Sequence, residues 1–309
     1  MKNQFWKSRK VLVTGSTGFI GAHLTNRLVS LGADVTEFVH EKPSKNDNTE
    51  KIYADLLVID SFKGYLKLEE FDTVFHLAAQ PIIGLASKNE YDTLDLNIRG
   101  AYNLLSVLKT KNLGRYVHIS TDKVYGNQSL VLDDSALLGL GHPYNLSKLC
   151  GDNIAYMYAS FYGIPTTIIR NANIYGGGDL HFDRIVPRTV RNLMVNRNPV
   201  IRGDGSNLRD YIYIDDIVDG YILAAESREL DIEIFNFGAD TPFSVRQIID
   251  TICNIYGSFV SPVYELQMSG EIPNQHIDNS RVRDVLGWFP KTSLIEGIRE
   301  TIDWYKENI

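Results

Sequence analysis

Short apolar runs that alternate with longer helical stretches predict an α/β chain. The expected form is a doubly wound parallel sheet with helices on both faces and a smaller, mostly helical C-terminal domain. Three observations carry this. Strand-like and helix-like segments alternate through the first half. A glycine-punctuated turn joins the first strand to the first helix. The 309 residues, 44% hydrophobic and 22% charged, suffice for one large α/β unit or two modest domains and exclude general disorder.

Strands are expected at Lys10–Thr14, Asp34–His40, Lys51–Asp55, Asp72–Ala79, Arg115–Thr121 and Thr166–Arg170. Helices are expected between them at Ala22–Leu31, Tyr91–Lys111 and Pro143–Phe161. Pro143 suits a first helical turn, where its missing N–H has no partner to lose, and Gly163 with Pro165 marks the end. After about residue 171 glycines cluster at Gly176-Gly177-Gly178 and Gly203-Asp204-Gly205. Helices at Asp183–Asn196, Ser244–Tyr256 and Leu294–Glu307 dominate the remainder, while Glu233–Gly238 reads as one more buried strand. The expected domains are therefore 1–170, with about 211–238 returning to it, and 171–309. Ligands of such sheets bind outside the carboxyl ends of the strands, so a cleft between the halves is the expected site.

Composition excludes several function classes. Thirty-one Lys plus Arg against thirty-eight Asp plus Glu leave a net charge of −7, the wrong balance for a duplex nucleic-acid partner. Two cysteines, Cys150 and Cys253, form neither a disulfide framework nor a zinc-site spacing, and the seven histidines offer no metal spacing. No apolar run of about 18 residues or signal-peptide pattern is present, so a soluble cytoplasmic protein without membrane partners is expected.

Val11-Leu12-Val13-Thr14-Gly15-Ser16-Thr17-Gly18-Phe19-Ile20-Gly21 is a strand, a GxxGxxG turn and a helix start. Such glycines permit a tight turn and let a pyrophosphate approach backbone N–H groups at the helix N-terminus, which makes the sheet Rossmann-type. A dinucleotide is the expected cofactor, and NAD and NADP both stay open. The second strand ends Phe38-Val39-His40-Glu41-Lys42, placing Val39 where a ribose-binding acid would stand. Asp55, at the end of the third strand, suits either an adenine contact or a helix start.

Tyr144 and Lys148, at i and i+4, share one helix face. A phenol with an ordinary pKa near 10 is a poor base at neutral pH, and a nearby ammonium favours its phenolate. Polar residues close the strand Tyr116-Val117-His118-Ile119-Ser120-Thr121-Asp122-Lys123-Val124-Tyr125-Gly126 and point to a reacting face at its carboxyl end. His76 and His118, inside apolar strands, read as satisfied core residues. Tyr156, Tyr158 and Tyr162 read as one helix packing against its neighbours, and Glu41–Lys51 as a solvated loop.

The segments TGSTGFIG, His76-Leu77-Ala78-Ala79-Gln80, STDKVYG, PYNLSK, Arg170-Asn171-Ala172-Asn173-Ile174-Tyr175-Gly176 and GDGSNLRDYIYIDD follow in order, and LGWFPKTSLIEGIRETIDWY closes the chain. From Lys10 to Tyr305 the chain resembles the extended short-chain dehydrogenase/reductases, the NAD-dependent sugar-nucleotide epimerases and dehydratases. The resemblance implies a cofactor-binding set of Gly15, Thr17, Gly18, Phe19, Ile20, Gly21, His40, Asp55, Leu56, Leu77, Ala78 and Ala79, with Lys148. It implies that Tyr144 takes the proton from the sugar 4-hydroxyl, that Lys148 tunes Tyr144, and that Thr121 holds the same oxygen. Gln80, Asn173, Arg184, Val186, Arg188 and Arg209 would bind a nucleotide-diphosphate sugar, and Asp183–Arg188 would cover its nucleoside. A homodimer would pair Tyr91–Lys111 and Pro143–Phe161 across a twofold axis as a four-helix bundle.

A 4-epimerase needs only this oxidation chemistry, whereas a 4,6-dehydratase also needs an acid toward C6 and a base toward C5. Thr121-Asp122-Lys123 offers Asp122 as the acid and a neutral Lys123 as the base, which resembles CDP-glucose 4,6-dehydratases, as do Gly176-Gly177-Gly178-Asp179 and Asp183-Arg184-Ile185-Val186-Pro187. The length and RDYIYIDD are closer to epimerases. An expected phosphate-binding Arg-Pro-Gly-Glu is replaced by Met268-Ser269-Gly270-Glu271, with Arg202 or Arg281 as substitutes. Dehydratase is the favoured reading and 4-epimerase the alternative. A non-catalytic NAD(P) sensor is the second alternative, but a sensor has no need to keep Tyr144, Lys148 and Thr121 together.

Overall fold

Seven parallel strands form the central sheet of the computed structural model, which describes residues 4–126, 131–133, 136, 138–139, 141–227, 231–266 and 274–309. Their spatial order is Ile232–Phe237, Thr166–Asn171, Arg115–Thr121, Thr73–His76, Lys10–Thr14, Asp34–Val39, Glu50–Tyr53. The chain winds outward from Lys10–Thr14 to one edge and then returns to its other side at Thr73–His76. This reversal puts the carboxyl ends of Lys10–Thr14 and Thr73–His76 side by side, with Thr14 opposite His76. The inner strands of the sheet are mostly buried, as strands covered on both faces must be, whereas the edge strand Glu50–Tyr53 buries only Ile52.

The element ends differ from expectation where a local contact decides them. The strand expected to run to Ala79 stops at His76, because Leu77 N donates to the Thr14 carbonyl (3.2 Å) and Ala78 N to Thr14 Oγ1 (3.2 Å). The first helix begins at Phe19 rather than Ala22, with Gly18 as its N-cap and Ala22 N bonded to Gly18 O at 2.9 Å. The helix expected at Tyr91–Lys111 is Glu90–Leu94, a π turn at Asp95–Arg99, and Gly100–Leu108. Pro143–Tyr162 has Pro143 in its first turn and ends on Gly163 in the left-handed region (φ 69°).

The described residues of Met1–Gly126, Leu138–Arg170 and Val218–Phe235 form one compact unit, and those of Asn127–Leu137, Asn171–Ile217 and Asn236–Ile309 a second. The core of the first packs Leu12, Phe38, Val74, Tyr116 and Ile168 of the sheet against Phe62, Leu104 and Leu108. In the second, Phe237 meets Trp288 edge-on at 4.7 Å, and the indole N–H of Trp288 bonds the carbonyl of Asp216 (2.8 Å). Beside its helices the second unit carries short strand pairs, among them Asn173–Tyr175 with Tyr211–Tyr213 and Val200–Arg202 with Val263–Glu265, both parallel. Helix Ile214–Glu226, which no signal in the sequence singled out, lies between Tyr211–Tyr213 and Ile232–Phe237 in the chain. Among the described residues no helix is long and apolar enough to cross a membrane.

Candidate active site

The glycine turn is shaped by close approaches. Gly15 has φ +72°, and a Cβ there would lie 2.7 Å from Ala78 N, so only glycine lets the first and fourth strand ends meet. A Cβ at Gly21 would lie 2.1 Å from Gly15 O, so the helix can sit directly on the turn. Gly18 N donates to Gly15 O at 3.0 Å, and the first helical turn carries no acid to neutralise its N–H groups. Ser16 Oγ is buried and has no hydrogen-bond partner among the described residues. This cradle, with an orphaned donor beside a bare helix N-terminus, fits a dinucleotide pyrophosphate.

The neighbouring expected contacts divide. Thr17, Phe19, Ile20, Leu77, Ala78 and Ala79 are partly exposed around the turn, whereas Leu56 is buried in the core with its carbonyl bonded to Asn103 Nδ2 (2.8 Å). Asp55 Oδ1 accepts from Leu57 N (2.8 Å) as a turn residue, and Asp55 Oδ2 lies 3.8 Å from His40 Nε2. Val39 is buried. The loop after it is anchored rather than simply solvated, because Ser44 and Thr49 hydroxyls donate to the buried Glu37 carboxylate (2.7 and 2.5 Å).

Helix Pro143–Tyr162 brings the Tyr–Lys pair to the sheet. His142 caps it, Nδ1 accepting from Tyr144 N at 3.2 Å, and Tyr144 is 8% exposed in the first turn. One turn on, the buried Lys148 ammonium donates to the carbonyl of Ile119 at 2.5 Å. Burial pushes Lys148 down to about 8, against the opposing pull of the Asp152 carboxylate. Asn97 braces the same helix: its Nδ2 donates to Ser147 Oγ (2.8 Å) and its Oδ1 accepts from Gln80 N (2.8 Å). Gln80 itself is engaged in its own turn, donating to Thr93 Oγ1 (2.9 Å) and Ile82 O (3.2 Å). Asn97 and His142 carry no motif, so only the fold reveals their part.

At the end of Arg115–Thr121, Thr121 caps the following turn, its side chain accepting from Lys123 N. Thr121 Oγ1 donates to Asp122 Oδ1 (3.0 Å), and the same oxygen accepts from Lys123 Nζ at 3.1 Å. The pair is unequal, with the Asp122 side chain 2% exposed and that of Lys123 16%. Thr121, Asp122, Lys123, Tyr144 and Lys148 thus all belong to the first unit.

In the second unit the expected binding residues are already engaged. Asn173 Nδ2 donates to Asp210 O (3.1 Å), and Arg184 Nη1 to Asp179 Oδ2 (3.0 Å). Arg188 Nη2 reaches both oxygens of Glu265 (3.3 and 3.4 Å), while Arg202 Nε lies 4.0 Å from Glu265. Arg209 Nη1 donates to Leu208 O (2.7 Å), and Val186 is buried. Met268-Ser269-Gly270-Glu271 lies outside the described residues.

Two bland expectations need correction. His76 is satisfied, with Nδ1 2.8 Å from Thr14 Oγ1, but among the described residues neither ring nitrogen of the buried His118 has a hydrogen-bond partner. Tyr158 is buried and packs on Tyr162 at 5.1 Å, whereas Tyr156 is 49% exposed because it lies outside the helix's core-facing stripe and Tyr162, the last residue of the helix, is 43% exposed.

Residues 11–238 match the NAD dependent epimerase/dehydratase family. An Arabidopsis thaliana trifunctional UDP-glucose 4,6-dehydratase, 3,5-epimerase and reductase is 29% identical over 98% of this chain and 48% of its own; the chain spans about half the length of the three such relatives it matches. The structure of a Thermotoga maritima UDP-glucose 4-epimerase with UDP-glucose is similar at TM-score 0.91, 27% identity, covering 96% of this chain and 99% of that one. That of a Streptomyces venezuelae dTDP-glucose 4,6-dehydratase with NAD bound is similar at TM-score 0.89, 26% identity, covering 97% of each chain.

Two outcomes follow from this geometry. Gly15→Ala combines a disfavoured φ with a clash on Ala78, and NAD binding by fluorescence titration should weaken at least about tenfold. Lys148 has a folded value below its ordinary 10.5, so its charge costs the native state up to about 3 kcal/mol below pH 8, a cost that fades as pH rises toward 10.5. Lys148→Met should therefore raise stability to denaturant at pH 7, with the gain shrinking at pH 10; a gain independent of pH would contradict the burial argument.

Proposed function

Since the chain belongs to the NAD dependent epimerase/dehydratase family, we propose that it is a nucleotide-sugar 4,6-dehydratase acting through a transient 4-keto sugar. The observation that carries this reading is the Asp122–Lys123 pair directly after Thr121. A 4-epimerase has no chemical need for a buried carboxylate there, and burying one costs free energy unless it is paired.

The Gly15–Gly21 turn and Lys148 would hold NAD, which would supply the hydride acceptor for oxidation at the sugar C4 and the hydride donor for reduction at C6. The chain's own residues move the protons. Tyr144, as phenolate, takes the proton of the 4-hydroxyl, and the Lys148 ammonium favours that phenolate. Thr121 hydrogen-bonds the same oxygen. Asp122 and Lys123 hold one exchangeable proton across their 3.1 Å contact. Its transfer to Asp122 leaves a neutral amine on Lys123 that can accept the C5 proton, while the Asp122 carboxyl gives its own to the departing 6-hydroxyl. The acid and base of the elimination are then one pair in two proton arrangements.

In this reading Arg209, Arg188 and Arg184 neutralise the substrate diphosphate and Asn173 and Gln80 orient it, exchanging partners such as Glu265 and Asp179 for the anion. The 4-epimerase is the second reading, favoured by the likeness to a UDP-glucose 4-epimerase. We also propose a homodimer. Leu146, Met157 and Phe161 are exposed along one face of Pro143–Tyr162, and Tyr91 and Tyr102 are exposed on the adjacent helices Glu90–Leu94 and Gly100–Leu108. Such a stripe suits a second copy of itself.

Incubation with UDP-, CDP-, GDP- and dTDP-hexoses should give a product lighter by one water; unchanged mass with inverted C4 would establish the epimerase. Tyr144→Phe should lower turnover at least about a thousandfold with NAD affinity kept, and Asp122→Asn should abolish water loss while 4-keto formation persists. Wild-type water loss in Asp122→Asn would remove the acid assignment. Sedimentation at micromolar concentration should show a dimer that Phe161→Asp dissociates; a wild-type monomer would end the dimer proposal.

A further inference from the structure

Behind Tyr144 lies a column of buried polar side chains that this chemistry does not use. His76 and His118 stand at paired positions on adjacent strands with ring centroids 5.7 Å apart, and Tyr116 stacks on them at 6.1 and 6.2 Å. Helix Pro143–Tyr162 closes on this column through Gly151 and Asp152. A Cβ at Gly151 would lie 2.9 Å from His118 Nε2, and Asp152 Oδ1 lies 3.7 Å from the same nitrogen. Asp152 Oδ2 accepts from Arg170 Nε at 3.0 Å, and Arg170 Nη1 donates to the Tyr125 hydroxyl at 3.0 Å. His76, His118, Asp152 and Arg170 are each under 5% exposed.

Asp152 stands one helical turn beyond Lys148, as Lys148 stands one turn beyond Tyr144, so all three share a face. Among the described residues, Asp152 on the same helix and His118 and His76 on two strands interact electrostatically with Lys148, while Tyr144 lies one turn before it and Arg170, on a third strand, pairs with Asp152. Burial pulls His76 down to about 3 and His118 well below the ordinary histidine range, so both rings are neutral at working pH. That leaves Asp152 as the anion of the cluster. Burial pushes its carboxyl upward, and Arg170 opposes this by pairing with the ionised form.

We propose that Asp152, clamped by Arg170, is a positioning residue that keeps Lys148 an ammonium and so determines how far up the pH scale Tyr144 works. The proposal rests on the reading of Tyr144 as base, but not on whether water loss or epimerisation follows.

Lysine labelled with 13C at Cε, in the full chain without substrate, reports the Lys148 titration directly, its resonance assigned with Lys148→Met. In Asp152→Asn the midpoint should fall by about one pH unit or more, a tenfold change in the ionisation ratio. The alkaline limb of kcat/KM should move down with it, while turnover near pH 6.5 stays within about threefold. Asp152→Glu should restore the wild-type midpoint, as a purely structural role would not require. An unmoved Lys148 midpoint in Asp152→Asn overturns the proposal whatever happens to turnover. If the unpaired Arg170 weakens the fold of that variant, the wild type and Asp152→Asn are compared with saturating NAD, which stabilises the native state by linkage, with the same expectation and the same overturning result. Wild-type inactivity on every nucleotide sugar would instead sink the proposed reaction and leave the titration standing.

Discussion

The seating of helix Pro143–Tyr162 on strand Arg115–Thr121 is the constraint on which the candidate site depends. It rests on a buried ammonium, Lys148, bonded to the Ile119 carbonyl, and on Gly151, whose missing side chain lets the helix reach the His118 ring. Asn97 holds the same helix to the chain beyond Thr73–His76 by bonding both Ser147 and Gln80. Through these contacts Tyr144 and Lys148 share a unit with Thr121, Asp122 and Lys123 although twenty residues of chain separate Lys123 from Tyr144. A helix held by apolar packing alone could slide; charge-assisted and backbone hydrogen bonds set its position along the strand.

That seating carries an electrostatic cost. Burying a lysine disfavours its charged form, and a second buried cation, Arg170, adds to the burden unless an anion lies close. Asp152 offsets part of it, and the two neutral histidines add no charge. Such clusters concentrate at functional sites because a perturbed proton affinity is useful there and only a burden elsewhere. The His118 nitrogens, without a hydrogen-bond partner among the described residues, belong to this pattern, and an apolar ring of similar shape would be the simpler occupant if packing were the sole requirement.

The second unit follows a different logic. Three of its arginines lie against carboxylates: Arg188 and Arg202 near Glu265, Arg184 on Asp179. For a chain of net charge −7 this keeps cationic groups ordered without a field of unpaired positive charge.

Much of the sheet was legible in the sequence, because apolar strand runs, Pro143, Gly163 and the glycine turn act through local sterics and backbone chemistry alone. The Tyr144–Lys148 spacing was equally local, since i and i+4 share a helix face wherever the helix sits. What the sequence could not reveal was which distant groups those side chains meet. Asp152, Arg170 and His118 are ordinary letters in ordinary elements, and only the crossing of helix and strands makes them one buried cluster. Strand Thr73–His76 ends where Thr14 bonds the chain beyond it, helix Tyr91–Lys111 is broken by a π turn, and Asp122 meets Lys123 rather than solvent. Each was decided by tertiary structure, because a hydrogen bond or ion pair is specified by both partners and burial is a property of neither alone.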